Sequence, residues 1–259
     1  MARQKRQAPT PPTPESPAPD GESPPASLWE RLDQPAPAPR ATLTPKKIAA
    51  AAVRLADTEG IDAVTMRRLA AELGVAPMAA YRYVSGKSDL LDLMTDTVYA
   101  DLELPRDLKS WRDVLRAGAL RTREIVLNHP WLTQISSPQS LRTLTPNRLA
   151  AAERSLASLD GLGLDIDAMM AVVGTVNSYV HGAVSSEVAH QLLMVSEGWT
   201  TNDDLRIALA PQMTYLMSTG RYPTYRRYTH EATRKDDPLW RFETGLDSVL
   251  DGVAARFGI

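Results

Sequence analysis

From Leu43 to the C-terminal end, apolar residues recur at spacings of three and four, and no run alternates with the period of two that a half-buried strand requires. That feature restricts the chain to an all-α fold. Thr44-Pro45 pairs an N-cap with a proline at the first helical position; Ile48, Ala52, Leu55 and Ala56 share one face; and Gly60 follows as a stop. The spacing predicts a helix over 45–59. Thr65 caps a second, in which Met66, Leu69, Ala70 and Leu73 fall at i, i+3, i+4 and i+7, and Gly74 supplies the positive φ of a tight interhelical turn. Val75, Ala80 and Val84 anchor a short third helix on the first two, with Pro77 in its first turn. Ser85 or Gly86 caps a fourth, whose Leu90, Leu91, Met94 and Val98 point back at the bundle. The second and third helices form a helix-turn-helix.

Composition separates this body from what precedes it. Eleven of the twenty prolines lie in residues 1–40, a segment too poor in apolar residues to offset its ordering entropy, and it is expected to be a disordered arm. Within it, SLWERL (27–32) has the capping-box form Ser27-x-x-Glu30 and predicts a helical turn docked loosely on the body, with a partner site as the alternative. Cysteine is absent, which excludes disulfides and thiolate metal sites. The basic N-terminus runs into proline and not into an apolar stretch, and the most apolar segment, 168–184, is interrupted by Asn177 and His181, so neither a secretory signal nor a membrane span is expected. The sequence reads as cytoplasmic. Net charge is 0 over residues 1–42, +3 over 43–88 and −5 over 89–259. A basic block on an acidic body suits a chain that meets a polyanion with one end.

The stretch LGVAPMAAYRYVSGK (73–87) gives that end its chemistry. If the third helix enters a major groove, Ala76, Pro77, Met78 and Ala79 face base edges without a side-chain donor or acceptor, offering only methyl contact to thymine and close backbone approach. Tyr81, Arg82 and Tyr83 follow, each able to donate to phosphate. Lys87 adds a point charge where free backbone N–H groups already favour an anion. Thr44 and Thr65 can also donate to phosphate, although N-capping accounts for both. Lys46, Lys47 and Arg68 read as general electrostatics. Arm cations Arg3, Lys5, Arg6 and Arg40 are of the kind that reach a minor groove, but five acids in the same segment oppose a strong effect.

On these residues, TLTPKKIAAAAVRLADTEGIDAVTMRRLAAELGVAPMAAYRYVSGKSDLLDLM (42–94) resembles the N-terminal DNA-binding domain of the TetR family of bacterial transcriptional regulators, with helix lengths and turns in register. NHPW (128–131) and RFETGLDSVLDGVAARFG (241–258) resemble, more loosely, the tetracycline-repressor-like C-terminal domain. The resemblance implies a disordered arm over 1–42, a DNA-binding domain over 43–104, and a ligand-binding and dimerisation domain over 105–259. It places Arg67 at a base or phosphate contact, where an arginine can grip guanine in bidentate fashion, and Tyr81, Arg82 and Tyr83 along the phosphate backbone.

The C-terminal pattern predicts helices over 111–128, 146–159, 166–194, about 202–218, and 238–257. Leu246, Val249 and Val253 belong to an apolar seam on the last, and Gly174, Ser178 and Gly182 form a smooth ridge on the long one. Both are compatible with an intramolecular core; the resemblance implies that they pair with a second subunit in a homodimer. Met94, Trp131, Met170, Asn177, His181 and Met213 are candidates for contact with a small-molecule inducer, each alone being as compatible with a core role. No His-Glu-x-x-His, Gly-x-Ser-x-Gly, phosphate loop or metal-spaced cluster occurs, and Asp165 and Asp167 sit where helix capping accounts for them. The expected function is therefore a DNA-binding, ligand-responsive repressor without cofactor or catalytic residues. The alternatives are control by a protein partner or, less favoured by the motifs, a helical-bundle enzyme.

Overall fold

Most of the elements follow from a cap, an apolar stripe or both. The computed structural model describes residues 26–33, 43–135 and 144–259, all of whose regular segments are helical. The arm's expected disorder and the reach of Arg3, Lys5, Arg6 and Arg40 concern residues outside these. The chain divides into two compact units, ending and beginning at Pro39 and Arg40. The first contains α1 (Leu28–Asp33), closed by the expected capping box: the Ser27 N–H donates to Glu30 Oε2 at 2.7 Å, and the Glu30 N–H to Ser27 Oγ at 3.3 Å.

The second unit begins with α2 (Pro45–Glu59), α3 (Met66–Leu73), α4 (Pro77–Ala80) and α5 (Lys87–Tyr99). Thr44 and Thr65 cap as predicted, their Oγ1 atoms accepting from Lys47 and Arg68 N–H groups, both at 3.2 Å. Gly74 lies at φ +66°, in the left-handed region, and there the Val75 N–H turns back to the Ala70 carbonyl at 3.0 Å. Ile48, Val64, Leu69, Leu90 and Met94 are fully buried in the core of these helices. Each such side chain contributes about 1.5–3 kcal/mol of burial.

The remaining helices are α6 (Trp111–Asn128), α7 (Pro146–Ala157), α8 (Ile166–Ser196), α9 (Asn202–Ser218), α10 (Pro223–Glu231) and α11 (Pro238–Phe257). The helix α10, PTYRRYTHE, is not among those the sequence pattern predicts. Asp165 Oδ1 accepts from the Ala168 N–H at 2.8 Å, which accounts for that carboxylate as a cap. A second core joins Leu115, Leu159, Val172, Val176, Val180, Val184, Leu246 and Leu250. Its rim carries ion pairs: Arg123 grips Glu187 at 2.6 and 2.9 Å, and Arg116 bridges Glu243 and Asp247 at 2.8 and 3.2 Å. These fix α6 against α8 and α11.

The dimer seam expected on α11 is corrected here. Leu246 and Val253 are buried within the single chain and Val249 packs against the same core, because α11 spends its apolar stripe on α8 and α6. Gly174, Ser178 and Gly182 do lie on an exposed face of α8.

Candidate functional site

The turn at Gly74 sets α4 beside α3 and leaves one face of both open. Arg67, Ala76, Pro77, Met78, Tyr81, Arg82 and Lys87 are exposed, and Ala79 is half-buried against the core. Met78 stands out at 73% exposure, a large apolar side chain with no core to enter. α4 is a single α-turn extended by the Tyr83 N–H bonding the Ala80 carbonyl and by the Val84 N–H bonding the same oxygen. Val84 and Ala80, fully buried, hold it down.

Two arginines adjacent in sequence separate by function. Arg68 is bound to Glu59 at 2.6 and 3.3 Å and to Glu72 at 3.1 Å, so its guanidinium serves the α2–α3 junction. Arg67 has no ion pair or side-chain hydrogen bond among the described residues and projects outward. The two tyrosines divide in the same way. Tyr81 is 44% exposed. Tyr83 is half-buried and donates its hydroxyl proton to the Leu43 carbonyl at 3.0 Å. Its expected place along a phosphate backbone is therefore corrected: the donor a phosphate needs is committed to the chain leading into α2.

Lys87 is the first residue of α5, after Gly86. Asp89 reaches back and accepts from the Ser85 N–H and Oγ–H at 2.8 and 2.7 Å, which fixes the loop that presents the lysine. Arg67, Tyr81, Arg82 and Lys87 thus surround the apolar Ala76–Ala79 edge, and no carboxylate stands among them in the sequence from Ala76 to Ser88.

The six expected ligand contacts do not converge. Met94 is fully buried in the core of α2–α5. Trp131, 2% exposed, packs on that core and donates its indole N–H to Asp57 Oδ1 at 2.7 Å, while His129 Nδ1 lies 2.8 Å from the same oxygen. Met170 and Asn177 lie on the exposed face of α8, turned away from both cavities. The reason is helical phase: the inward stripe of α8 is Val172, Val176, Val180 and Val184, and the two residues sit off it.

His181 and Met213 line separate cavities. The smaller, of about 250 Å³, lies between α5, α6, α7 and α8 and is lined by Thr95, Tyr99, Thr122, Arg148 and Ser185 as well as His181. His181 is an exposed residue of α8, and partial desolvation on its cavity side, followed by the Arg148 charge, holds its imidazole below its usual pKa. The larger, of about 1310 Å³, opens between α8, α9, α10 and α11, with Met213, Tyr225 and Tyr228 on its walls. Sequence reasoning missed Thr95, Tyr99 and Arg148. No sequence signal marked them, because which side of α5 and α7 faces a cavity is decided by the helices packed around them.

Against this geometry the comparisons are consistent. Residues 48–94 match the family described as bacterial regulatory proteins, tetR family, and residues 104–257 match the tetracyclin repressor-like C-terminal domain. The HTH-type transcriptional repressor DrrR1 of Streptomyces coeruleorubidus is 36% identical over 87% of this chain and 83% of its own length. The tetracycline repressor protein class D of Escherichia coli is 34% identical, over 83% of this chain and 91% of its own. Among solved structures, the TetR family protein ActR of Streptomyces coelicolor in complex with actinorhodin is 25% identical and superimposes with a TM-score of 0.66, covering 83% of this chain and 97% of that one.

Proposed function

The chain belongs to the tetR family of bacterial regulatory proteins, and from that premise we propose that it is a homodimeric repressor that leaves its operator when a small molecule binds. One observation carries the reading. The helix that presents Lys87 to the outside is also the helix whose Thr95 and Tyr99 wall the smaller cavity, two turns further along. A ligand in that cavity acts on the same rigid element as the DNA.

On the DNA side, Met78 and Ala79 approach base edges, Arg67 reads a base or holds a phosphate, and Tyr81, Arg82 and Lys87 grip the backbone. Thr44 and Thr65 contribute chiefly as caps. Two recognition helices must lie about one helical turn of DNA apart, which a symmetric dimer provides. The face for that dimer is built of small residues: Gly174, Ser178 and Gly182 on α8, and Thr244, Ser248 and Gly252 on α11, all exposed in the single chain. Open space surrounds the glycines of this face, so another helix can lie close. No described helix is long and apolar enough to cross a membrane, and we place the repressor in the cytoplasm with its DNA.

Selection of bound duplexes from a random library tests the reading. A palindromic site with half-sites about one helical turn apart is expected. Recovery of a single asymmetric half-site, or of no preferred sequence, would overturn it.

A further inference from the structure

We propose, as a refinement resting on the effector reading above, that the cavity between α5 and α8 selects a compact organic acid, its carboxylate held by Arg148 and by the hydroxyl of Thr95.

Thr95 is the first observation. The residue is 3% exposed, lines the cavity, and its Oγ1 has no hydrogen-bond partner among the described residues. Several helical hydroxyls turn back to the carbonyl four residues earlier, as Thr97 does to Leu93 at 2.7 Å, Thr175 to Ala171 at 2.8 Å and Ser178 to Gly174 at 2.8 Å. Thr95 does not. A buried hydroxyl without that bond is a donor held for something else, since leaving it unmade is costly.

The electrostatics give the sign of that partner. Arg148 is the fixed cation on the wall, its guanidinium carbon 5.5 Å from the Tyr99 ring centroid, and no Asp or Glu appears among the described lining residues. The nearest carboxylate along α5, Asp96, is occupied by the α7 N-terminus, accepting from the Asn147 backbone N–H at 2.8 Å and from its Nδ2 at 3.0 Å. The cavity therefore offers a positive centre and hydroxyl donors to its occupant. Arg148 also contributes, after desolvation, to lowering the His181 pKa, as a neighbouring positive charge does. A guanidinium and a carboxylate make the strongest ordinary polar contact available, because both partners are charged and planar.

Volume sets the size. At about 250 Å³ the space falls below the roughly 300–1,000 Å³ typical of sites for drug-sized ligands, so the body attached to the carboxylate is small. Val126, Val180 and Val184 supply an apolar wall for it. The larger cavity differs in both respects: carboxylates stand on its wall, Asp236 pairing with Arg206 and Glu187 with Arg123, and α5 forms none of it.

The test uses benzoate and phenylacetate beside their neutral isosteres, benzamide and phenylacetamide, titrated calorimetrically into the full-length dimer. Each acid is expected to bind at least about tenfold more tightly than its amide, the advantage of a charge-assisted contact. Arg148→Gln should erase that preference and Arg148→Lys should retain part of it; Thr95→Val, which keeps the shape, should weaken both acids several-fold. If Arg148→Gln does not fold, Thr95→Val and Arg148→Lys carry the test. Amides binding as well as acids, an acid preference that survives Arg148→Gln, or no binding by any of the four at millimolar concentration would overturn the proposal. Operator release, followed separately by fluorescence anisotropy, keeps the two readings distinct. Acid binding without release would leave the selectivity standing and overturn the effector reading; release by a non-acidic compound, with no acid bound, would do the reverse.

Discussion

Trp131 and Asp57 meet across 2.7 Å, the indole N–H of the turn after α6 donating to a carboxylate on α2. His129 approaches the same oxygen at 2.8 Å, with its ring 6.0 Å from the indole. The NHPW segment thus closes the core of the DNA-binding helices from outside, and Asp57 is a joint between the end of α6 and the element on which α3 and α5 pack. A ligand that shifts α6 must carry α2 with it or break this bond.

Asp57→Ala should therefore act on coupling as well as stability. It orphans a buried indole N–H, a loss of about 1–3 kcal/mol, to be measured by urea denaturation. Trp131→Phe removes donor and partner need together and should cost less per polar atom, while leaving a void where the second ring packed. In both variants, a saturating effector should release less operator than it does from the unaltered protein. Full release from Asp57→Ala would show that the joint does not transmit.

Gly245 makes a second sharp case. A Cβ there would stand 2.3 Å from Tyr179 Oη and 2.8 Å from its ring, while that hydroxyl donates to the Phe242 carbonyl at 2.7 Å. Gly245→Ala should destabilise the chain by about 1–3 kcal/mol, the range for overpacking. Tyr179→Ala in the same chain should recover much of the clash but not the lost burial. A Gly245→Ala midpoint equal to the parent's in denaturant would mean that α8 and α11 lie further apart than described.

Caps and stripes were legible in the sequence because they are local. Thr44-Pro45, Thr65 and Gly74 state where a helix starts or stops whatever packs on it, and the span 45–59 follows from such signals. α10 was illegible because PTYRRYTHE has no apolar face to show a period; none of its residues is buried. Helix rotation was illegible for a different reason. Met94 and Met170 look alike in sequence, yet one is fully buried and the other 54% exposed, since only the neighbouring helices decide which side of a turn is inside. The same ambiguity made the α11 seam look like a subunit interface, when the small-residue face of Thr244, Ser248 and Gly252 is the one left uncovered.

That assignment separates two substitutions on one helix. Leu246→Glu puts a charge into the single-chain core and should abolish folding, seen as loss of the cooperative transition by circular dichroism. Gly252→Glu adds a charge to the exposed face and should leave the helix content intact while light scattering shows a shift toward monomer. A folded, monomeric Leu246→Glu protein would return the interface to the apolar seam.

Acid should find His181. Its pKa is depressed in the folded chain by partial desolvation and then by Arg148, so the unfolded chain takes up the proton more readily. The stability that its neutral form supports is present above the unfolded value near 6.5 and is lost as pH falls below it toward the folded pKa. The titratable groups facing it across the cavity are Arg148 and Tyr99, and burial raises the Tyr99 phenol above its usual value, away from that range. His181→Gln should flatten this part of the stability profile between about pH 7 and 5, read as the thermal midpoint at each pH. An unchanged slope would assign the acid sensitivity elsewhere.

On the DNA face three substitutions are expected to act in three different ways. Lys87→Ala removes a phosphate contact and should lower the slope of log K against log salt by about one unit, weakening all operators alike. Tyr83→Phe removes the bond to the Leu43 carbonyl and should cost about 1 kcal/mol of stability with the salt slope unchanged. Arg67→Ala should relax preference at one base pair in each half-site, at about 1–3 kcal/mol, in a binding series over single-base operator variants. A uniform loss across that series would make Arg67 a phosphate ligand like Lys87. Discrimination would then fall to Met78, the one large apolar side chain exposed on α4, and its signature would be a preference for thymine that Met78→Ala removes.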